Sequence, residues 1–157
     1  MAVSPMIANI EPIADLKEIV PLLAECGLPV ADISASQPPL FFGIRTESSL
    51  VAVIGLELFG SAGLLRSLAV SRAHRGRGLA RQLVAYAERV AASRGISTLF
   101  LLTTTAATFF ENSGFVPASR SAAPPAIQAT PQFSGLCPAS SAFLHKSVVS
   151  LTVRAAP

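Results

Sequence analysis

Arg75-Gly76-Arg77-Gly78-Leu79-Ala80, read together with the apolar run Leu64-Leu65-Arg66-Ser67-Leu68-Ala69-Val70 before it, decides how this chain folds. A strand that feeds a glycine-rich turn opening a helix makes an anion site. Glycine allows positive φ and close backbone approach, while unpaired N–H groups and the positive end of the helix dipole face the ligand. Arg75 and Arg77 add formal charge there. Spacing separates the competing phosphate loops. A dinucleotide fingerprint beginning at Gly76 would need its third glycine where Arg81 stands, and the next apolar run ends in threonines instead of the acid that grips a ribose. The nucleoside-triphosphate loop, with four residues between its glycines and then Lys followed by Ser or Thr, does not occur in the chain.

The pattern that does match is Arg75-x-x-Gly78-x-Ala80, and it resembles the acyl-CoA pyrophosphate loop of the Gcn5-related N-acetyltransferases (GNAT). The resemblance continues downstream. Leu79, Leu83, Tyr86 and Val90 form one stripe of an amphipathic helix that ends at Gly95, and Ser97 to Leu102 is an apolar run of strand length. Leu64 to Leu102 therefore reads as strand, crossover helix, strand, with the two strands parallel. Thr105 to Ser113, closed by Gly114-Phe115, resembles the short family helix that ends in an aromatic, an acid or amide, and Gly-Phe.

Composition agrees with one enzyme-sized domain over 1–157. Hydrophobic residues make up 51% and charged residues 13%, much of the excess being alanine on helices. The longest uncharged stretch, Ser121 to Leu144, is interrupted by Pro124, Pro125, Pro131 and Pro138, which argues against a spanning helix. The N-terminus has no basic region followed by an apolar core and cleavage site, so the expectation is a cytoplasmic protein with no membrane partner. A net charge of +3, with arginines at positions 72, 75, 77 and 81, fits a local anion site. A nucleic-acid surface would need a wider basic face with interleaved aromatics, yet aromatics are 6% and tryptophan is missing. Cys26 and Cys137 lie far apart and make no zinc spacing, so no metal is expected.

Elsewhere, Met6 to Ile10 reads as a first strand, and Pro12 suits the first turn of a helix carrying Ile13, Leu16, Ile19, Val20 and Leu23 up to Gly27, on the substrate side. Phe41 to Arg45 and Leu50 to Phe59 read as antiparallel strands around the turn Thr46-Glu47-Ser48-Ser49. Pro117 to Ser140 has linker-like composition, but Ile127, Phe133 and Leu136 can anchor it as an ordered loop before a returning strand, Ala142 to Val149. The expected fold is α/β (α+β), the GNAT fold: a mixed sheet of six to seven strands, splayed at an acetyl-CoA cleft, with helices on both faces.

The resemblance implies a cofactor site and a chemistry. Pantetheine would pair with the backbone of Leu68, Ala69 and Val70 like an added strand, and Arg75, Gly76, Arg77, Gly78, Leu79 and Ala80 would hold the diphosphate. Acetyl-CoA would then acetylate a small-molecule amine by direct transfer in a ternary complex. The neutral amine attacks the thioester carbonyl, an N–H near Val70 stabilises the oxyanion, and the thiolate departs. Family members often carry a tyrosine where this chain has Phe110, so the usual acid is missing, although a thiol of pKa about 8.5 is already a tolerable leaving group.

The residues themselves suggest further roles. Glu57 is the only acid in the apolar strand Val51 to Phe59, and burial would raise its pKa toward the range of a general base. It is therefore the preferred general base, directly or through water, the alternative being a solvated face position or the ion-pair partner of Arg66. An arginine in the strand Leu64 to Val70 is costly unless paired, and a cleft-facing guanidinium suits a substrate carboxylate, phosphinate or arsonate. Thr103, Thr104 and Thr105 would contact substrate or cap the next helix. Tyr86 reads as core, His74 as a surface residue or weak phosphate contact, and His145 as structural.

Gly55-Leu56-Glu57, Leu101-Leu102-Thr103-Thr104-Thr105, and Ala122-Ala123-Pro124 through Leu136-Cys137-Pro138-Ala139-Ser140 resemble the bacterial acetyltransferases of arsenic resistance. That implies an α-amino acid analogue with an extra anionic head as acceptor. Homodimers also occur among such relatives, though no exposed stripe here specifies one. Two alternatives remain: a catalytically weak acyl-CoA sensor, which needs the loop but no acceptor pocket, and an arsenite-binding protein relying on Cys26 and Cys137.

Overall fold

The computed structural model describes residues 8–30, 39–136 and 141–148. Its frame is a run of strands in which β-branched and aromatic residues alternate between two covered faces. These are β1 (Ile10–Pro12), β2 (Leu40–Thr46), β3 (Ser49–Phe59), β4 (Ala62–Val70), β5 (Thr98–Thr103), β6 (Val116–Pro117) and β7 (Ala142–Ser147). They form one seven-stranded sheet in the order β1-β2-β3-β4-β5-β7-β6. Every neighbouring pair is antiparallel except β4 and β5. The sheet is thus mixed, with helices on both faces, as the sequence leads one to expect. The β2–β3 turn is a tight two-residue reversal, with Glu47 (φ 50°) and Ser48 (φ 70°) both left-handed.

The long helix α2 (Leu79–Ser93) joins β4 to β5 and lies on one face, where Leu83, Val84, Ala87 and Ala91 are buried against Ile54, Leu56, Leu65, Leu99 and Leu101. Burying each large side chain there contributes roughly 1.5–3 kcal/mol. Tyr86 packs on this core beside Phe42, ring centroids 5.3 Å apart, as its place on the apolar stripe predicts. The opposite face is covered in two parts. Helix α1 (Leu16–Glu25) sets Ile19, Leu22 and Leu23 against Phe41, Val53 and Ala69. Residues 118–136, with the short helix α4 (Pro125–Gln128) and a π-helical turn at Gln132–Leu136, cover Leu64, Phe100 and Phe143. Ile127 and Phe133 anchor this segment, as expected from sequence; Cys137 to Ser140 lie outside the described residues.

Helices α1, α2 and α3 (Ala107–Asn112) all stop in the same way. A glycine follows the C-cap and donates two residues inside the last turn, and the next residue, Leu28, Ile96 or Phe115, reaches back to Leu23, Ala91 or Phe110. Gly27, Gly95 and Gly114 hold the required positive φ.

The N-terminal boundaries differ from the expectation. Met6 lies outside the described residues, the first strand begins at Ile10, and Pro12 belongs to that strand instead of the helix. Pairing with Phe42 keeps Pro12 extended, and Ile13 N–H then donates to Phe41 O. Asp15, whose side chain accepts from Lys17 N–H, is the N-cap that starts α1. The ion pairs of Arg45 with Glu11 and Glu18 tie β1, α1 and β2 together.

Gly43 marks the tightest point between β2 and β3: a Cβ there would lie 2.7 Å from Leu50 Cδ1 and 2.9 Å from both Ile13 Cγ1 and Ala52 O. Because a backbone oxygen cannot step aside, Gly43→Ala is expected to cost about 1–3 kcal/mol through overpacking. A thermal melt should show it as a fall of roughly 2–4 °C in Tm per kcal/mol.

Candidate functional site

β4 and β5 pair only from Ala62↔Thr98 to Leu65↔Leu101. Both strands continue, β4 to Val70 and β5 to Thr103, so beyond that point they part. β4 stays bound to β3 on its other side through a bulge. Gly55 faces Arg66 and Val53 faces Ala69, which leaves Ser67 and Leu68 against Ile54 alone, with Ser67 at φ 57°. A bulge bends its strand and increases local twist, and here it accompanies the divergence of β4 from its parallel neighbour.

The parting opens a cleft of about 1100 Å³ floored by Ile54, Leu65 and Leu101. That is at the upper end of ordinary small-molecule pockets, roughly 300–1,000 Å³. At one end stands the glycine loop. Gly76 (φ 78°) and Gly78 (φ 79°) are left-handed, and nothing lies within 4 Å of where a Cβ would sit on either. Among the described residues, none of the backbone N–H groups from Gly76 to Ala80 donates to a backbone carbonyl. The first N–H groups of α2 are orphans by construction, so a row of donors is presented at the positive end of the helix. This geometry fits a diphosphate.

Arg75 works partly as a brace: its Nε donates to Val70 O at 3.0 Å, and a terminal nitrogen lies 3.5 Å from Cys26 Sγ. Cys26 in turn donates to Val70 O, and Glu25 accepts from Arg72 N–H. These contacts fasten the end of α1 to the approach of the loop. His74 is more firmly held than a surface residue, with Nδ1 at 2.7 Å from Ser71 Oγ and Nε2 at 3.5 Å from Thr46 Oγ1. Of the arginines around the loop, Arg75 and Arg81 line the cleft; Arg77 is exposed outside its lining.

The other end of the cleft carries Arg66, Thr103, Thr104, Phe110 and Gln132. Arg66 is the most constrained: its side chain is 1% exposed, and a terminal nitrogen of its guanidinium lies 3.6 Å from Glu57 Oε1. Its Nε donates to Ser67 Oγ at 3.0 Å, so the bulge that bends the strand also serves the guanidinium. Gly55 gives it room, since a Cβ there would lie 3.1 Å from Arg66 Cγ. Glu57 keeps 16% side-chain exposure and does not line the cleft; it stands behind Arg66. Thr103 Oγ1 accepts from Ala106 N–H at 2.9 Å, a bond within the turn before α3, whose N-cap Ala106 has no side-chain capping bond, while Thr104 is exposed to the cleft. Phe110 is buried and edge-on to Phe109 and Phe115, with centroids at 5.0 and 5.7 Å. His145 stacks against Phe100 away from the cleft.

Sequence reasoning missed the Ser67 bulge, Cys26 and Gln132. The bulge left no signal beyond the polar pair Arg66-Ser67 in an apolar strand, and Gln132 is hidden in a stretch of linker-like composition. Among the described residues, no three of His, Cys, Asp and Glu are grouped to hold a metal ion, and no helix is long and apolar enough to cross a membrane.

Comparison with known proteins agrees with this geometry. Residues 11–115 match the acetyltransferase (GNAT) family, and the chain belongs to that family of acyltransferases. It is 32% identical over 115 residues to an amino-acid acetyltransferase of Pseudomonas putida, covering 70% of this chain but only 27% of that protein's length. Among solved structures, it resembles N-acetylglutamate synthase from Neisseria gonorrhoeae complexed with coenzyme A and N-acetyl-glutamate. There the TM-score is 0.75 at 23% identity, over 91% of this chain and 36% of that one. The Escherichia coli ribosomal-protein-S18-alanine N-acetyltransferase aligns with a TM-score of 0.67 at 16% identity, over 90% and 94% of the two chains.

Gly78 has open space and positive φ at the start of α2. Gly78→Asp places an anion among those donors at a modest backbone cost, on the order of 1 kcal/mol. Calorimetry should show coenzyme A affinity falling about tenfold or more, equivalent to 1.4 kcal/mol, with only a small change in Tm.

Proposed function

We propose that this protein is an acetyl-CoA-dependent N-acetyltransferase whose acceptor is the amine of a small amino acid carrying an extra anionic head, including toxic analogues whose acetylation would confer arsenic or toxin resistance. One observation carries the reading: the cleft where β4 and β5 part has a row of free amides at one end and the buried Arg66 at the other. The amides suit a diphosphate, and the exposed edge of Leu68 to Val70 suits an extended pantetheine arm. The guanidinium suits an acidic acceptor, because it keeps its charge and offers a planar fork to two oxygens.

Within this proposal, Thr104 contributes a hydroxyl beside the acceptor, and Phe110 packs along the thioester arm. Glu57, set behind Arg66 at 3.6 Å, acts as its counter-ion. A second reading rests on its residual exposure: Glu57 removes the proton of the acceptor ammonium through an intervening water. The leaving thiolate needs no tyrosine, since a thiol of pKa about 8.5 departs readily near neutrality.

Thiol release from acetyl-CoA across a panel of amino acids and their phosphinate and arsonate analogues tests the function directly. Turnover with acidic members supports it. Coenzyme A binding without turnover on any amine would favour a sensor instead.

Arg66→Lys keeps a positive charge but loses the fork. Steady-state kinetics should show the acceptor KM rising about tenfold or more, in line with the loss of a charge-assisted hydrogen bond, with the acetyl-CoA KM little changed. Glu57→Gln separates the two roles of the carboxylate. If it is the base, the rate deficit is largest at neutral pH and shrinks under alkaline conditions, where the amine sheds its proton unaided. If it is the counter-ion, the acceptor KM changes and the deficit is the same at every pH.

A further inference from the structure

Ser67 holds a backbone conformation that a serine adopts only at a steric cost. Among the described residues, the non-glycine residues with left-handed φ are Glu47 and Ser48, which the tight β2–β3 turn requires, and Ser67, in mid-strand at φ 57°. L side chains crowd the backbone in this region, and where a bulge uses it glycine is the usual occupant. Such strain persists only where the surroundings enforce it, and it gathers at functional sites. A glycine at position 67 would hold the same bend freely, which points to a use for the side chain itself.

That use is a contact with its neighbour. Ser67 is half-buried and lines the cleft together with Arg66. Its Oγ accepts from Arg66 Nε at 3.0 Å. In a regular strand, adjacent side chains point to opposite faces and do not meet in this way. The bulge, which sets both Ser67 and Leu68 against Ile54, removes the alternation and brings the hydroxyl within reach of the guanidinium.

A guanidinium is a planar fork, so contacts made to it from different sides fix the direction in which it points. For Arg66, one contact is Ser67 Oγ at Nε, and another is Glu57 Oε1, 3.6 Å from a terminal nitrogen. The ion pair supplies opposite charge from the adjacent strand. The serine bond is made at the single N–H on the stem of the fork, and it sets the roll of the whole group. The root of the side chain is confined as well, because a Cβ on Gly55 would lie 3.1 Å from Arg66 Cγ.

From this pair we infer that Ser67 is a positioning residue of the acceptor site: its strained backbone is retained because its hydroxyl holds the Arg66 guanidinium turned toward the anionic head of the acceptor. The inference rests on the proposed acceptor class and goes beyond it by naming the group that orients Arg66. It concerns binding, so it can be read without turnover.

The experiment compares the wild type with Ser67→Gly and Ser67→Ala. Thermal stability and coenzyme A affinity are measured for each, and calorimetry on the coenzyme A complex gives the affinity for L-glutamate and for its neutral amide, L-glutamine. Both variants lose the hydroxyl, but glycine accepts a left-handed φ and alanine does not. Ser67→Gly should therefore melt above Ser67→Ala. Both should bind glutamate about fivefold or more weakly than the wild type, a part of what a hydrogen bond to a charged group is worth. Affinities for glutamine and coenzyme A should be little changed, a pattern that general loosening of the strand would not produce. If Ser67→Ala does not fold, Ser67→Gly alone is compared with the wild type. Variants that keep the wild-type preference for glutamate, or that lose glutamate, glutamine and coenzyme A alike, overturn the inference and leave the acceptor class standing. A wild type that does not distinguish glutamate from glutamine overturns the acceptor class, and this inference with it.

Discussion

Where β4 and β5 cease to pair, backbone groups along two central strands lose their ladder partners, and burying such groups unpaired would cost several kcal/mol. The molecule accommodates this constraint by keeping the gap open as a cleft rather than packing it shut. β4 is held from its far side by β3, through a bulge that lets the strand bend without unpairing entirely. The same divergence sets the start of α2 at the mouth of the gap, because the chain leaves β4 at Val70 and needs only a short 3₁₀ turn, Arg72–His74, before the glycine loop. The donors of the loop and the free edge of the strand are therefore two results of one interruption.

Arg66 shows how tightly the frame and the site are joined. A guanidinium with almost no exposure in mid-sheet needs charge, hydrogen bonds and space. Charge comes from Glu57 on the adjacent strand, a hydrogen bond from the bulged Ser67, and space from Gly55 opposite. Each provider is also a structural element: a strand residue, a backbone irregularity, and a point where two strands must approach without side chains. The Arg66 end of the cleft is built into the sheet itself, whereas the glycine-loop end is built from a loop and a helix terminus.

What could be read in the sequence follows from how local each feature is. The loop from Arg75 to Ala80, the stripe of α2 and the β2–β3 turn are encoded by neighbouring residues, and the structure has them within a residue or two of the expected bounds. Pro12 was ambiguous because proline suits both a helix's first turn and a sheet edge, and only pairing with Phe42 settles it. The site was legible where a motif is contiguous and illegible where it is assembled. That Arg66 is buried and that Glu57 stands near it could be anticipated from charges in apolar strands. That Glu57 sits behind Arg66, that Ser67 bulges, and that Gln132 arrives from a distant segment depend on register and on packing across the sheet.

The connectivity of the sheet has a further consequence for how the chain acquires its shape. β1 to β4 are antiparallel neighbours in chain order, β2 to β4 joined by tight turns and β1 to β2 by the segment that carries α1, whereas β5, β7 and β6 form a second group, and the two are joined within the sheet by the parallel stretch from Ala62↔Thr98 to Leu65↔Leu101. Pairing of β2 with β3 and of β3 with β4 needs only contacts of short sequence separation, but the seam requires closing a loop that contains all of α2, at an entropic cost met only once that helix has docked. Such a seam is the natural boundary between cooperative folding units and the first place for a native molecule to open transiently. A ligand lying across it would touch both groups at once, acting as a clasp that couples their stabilities.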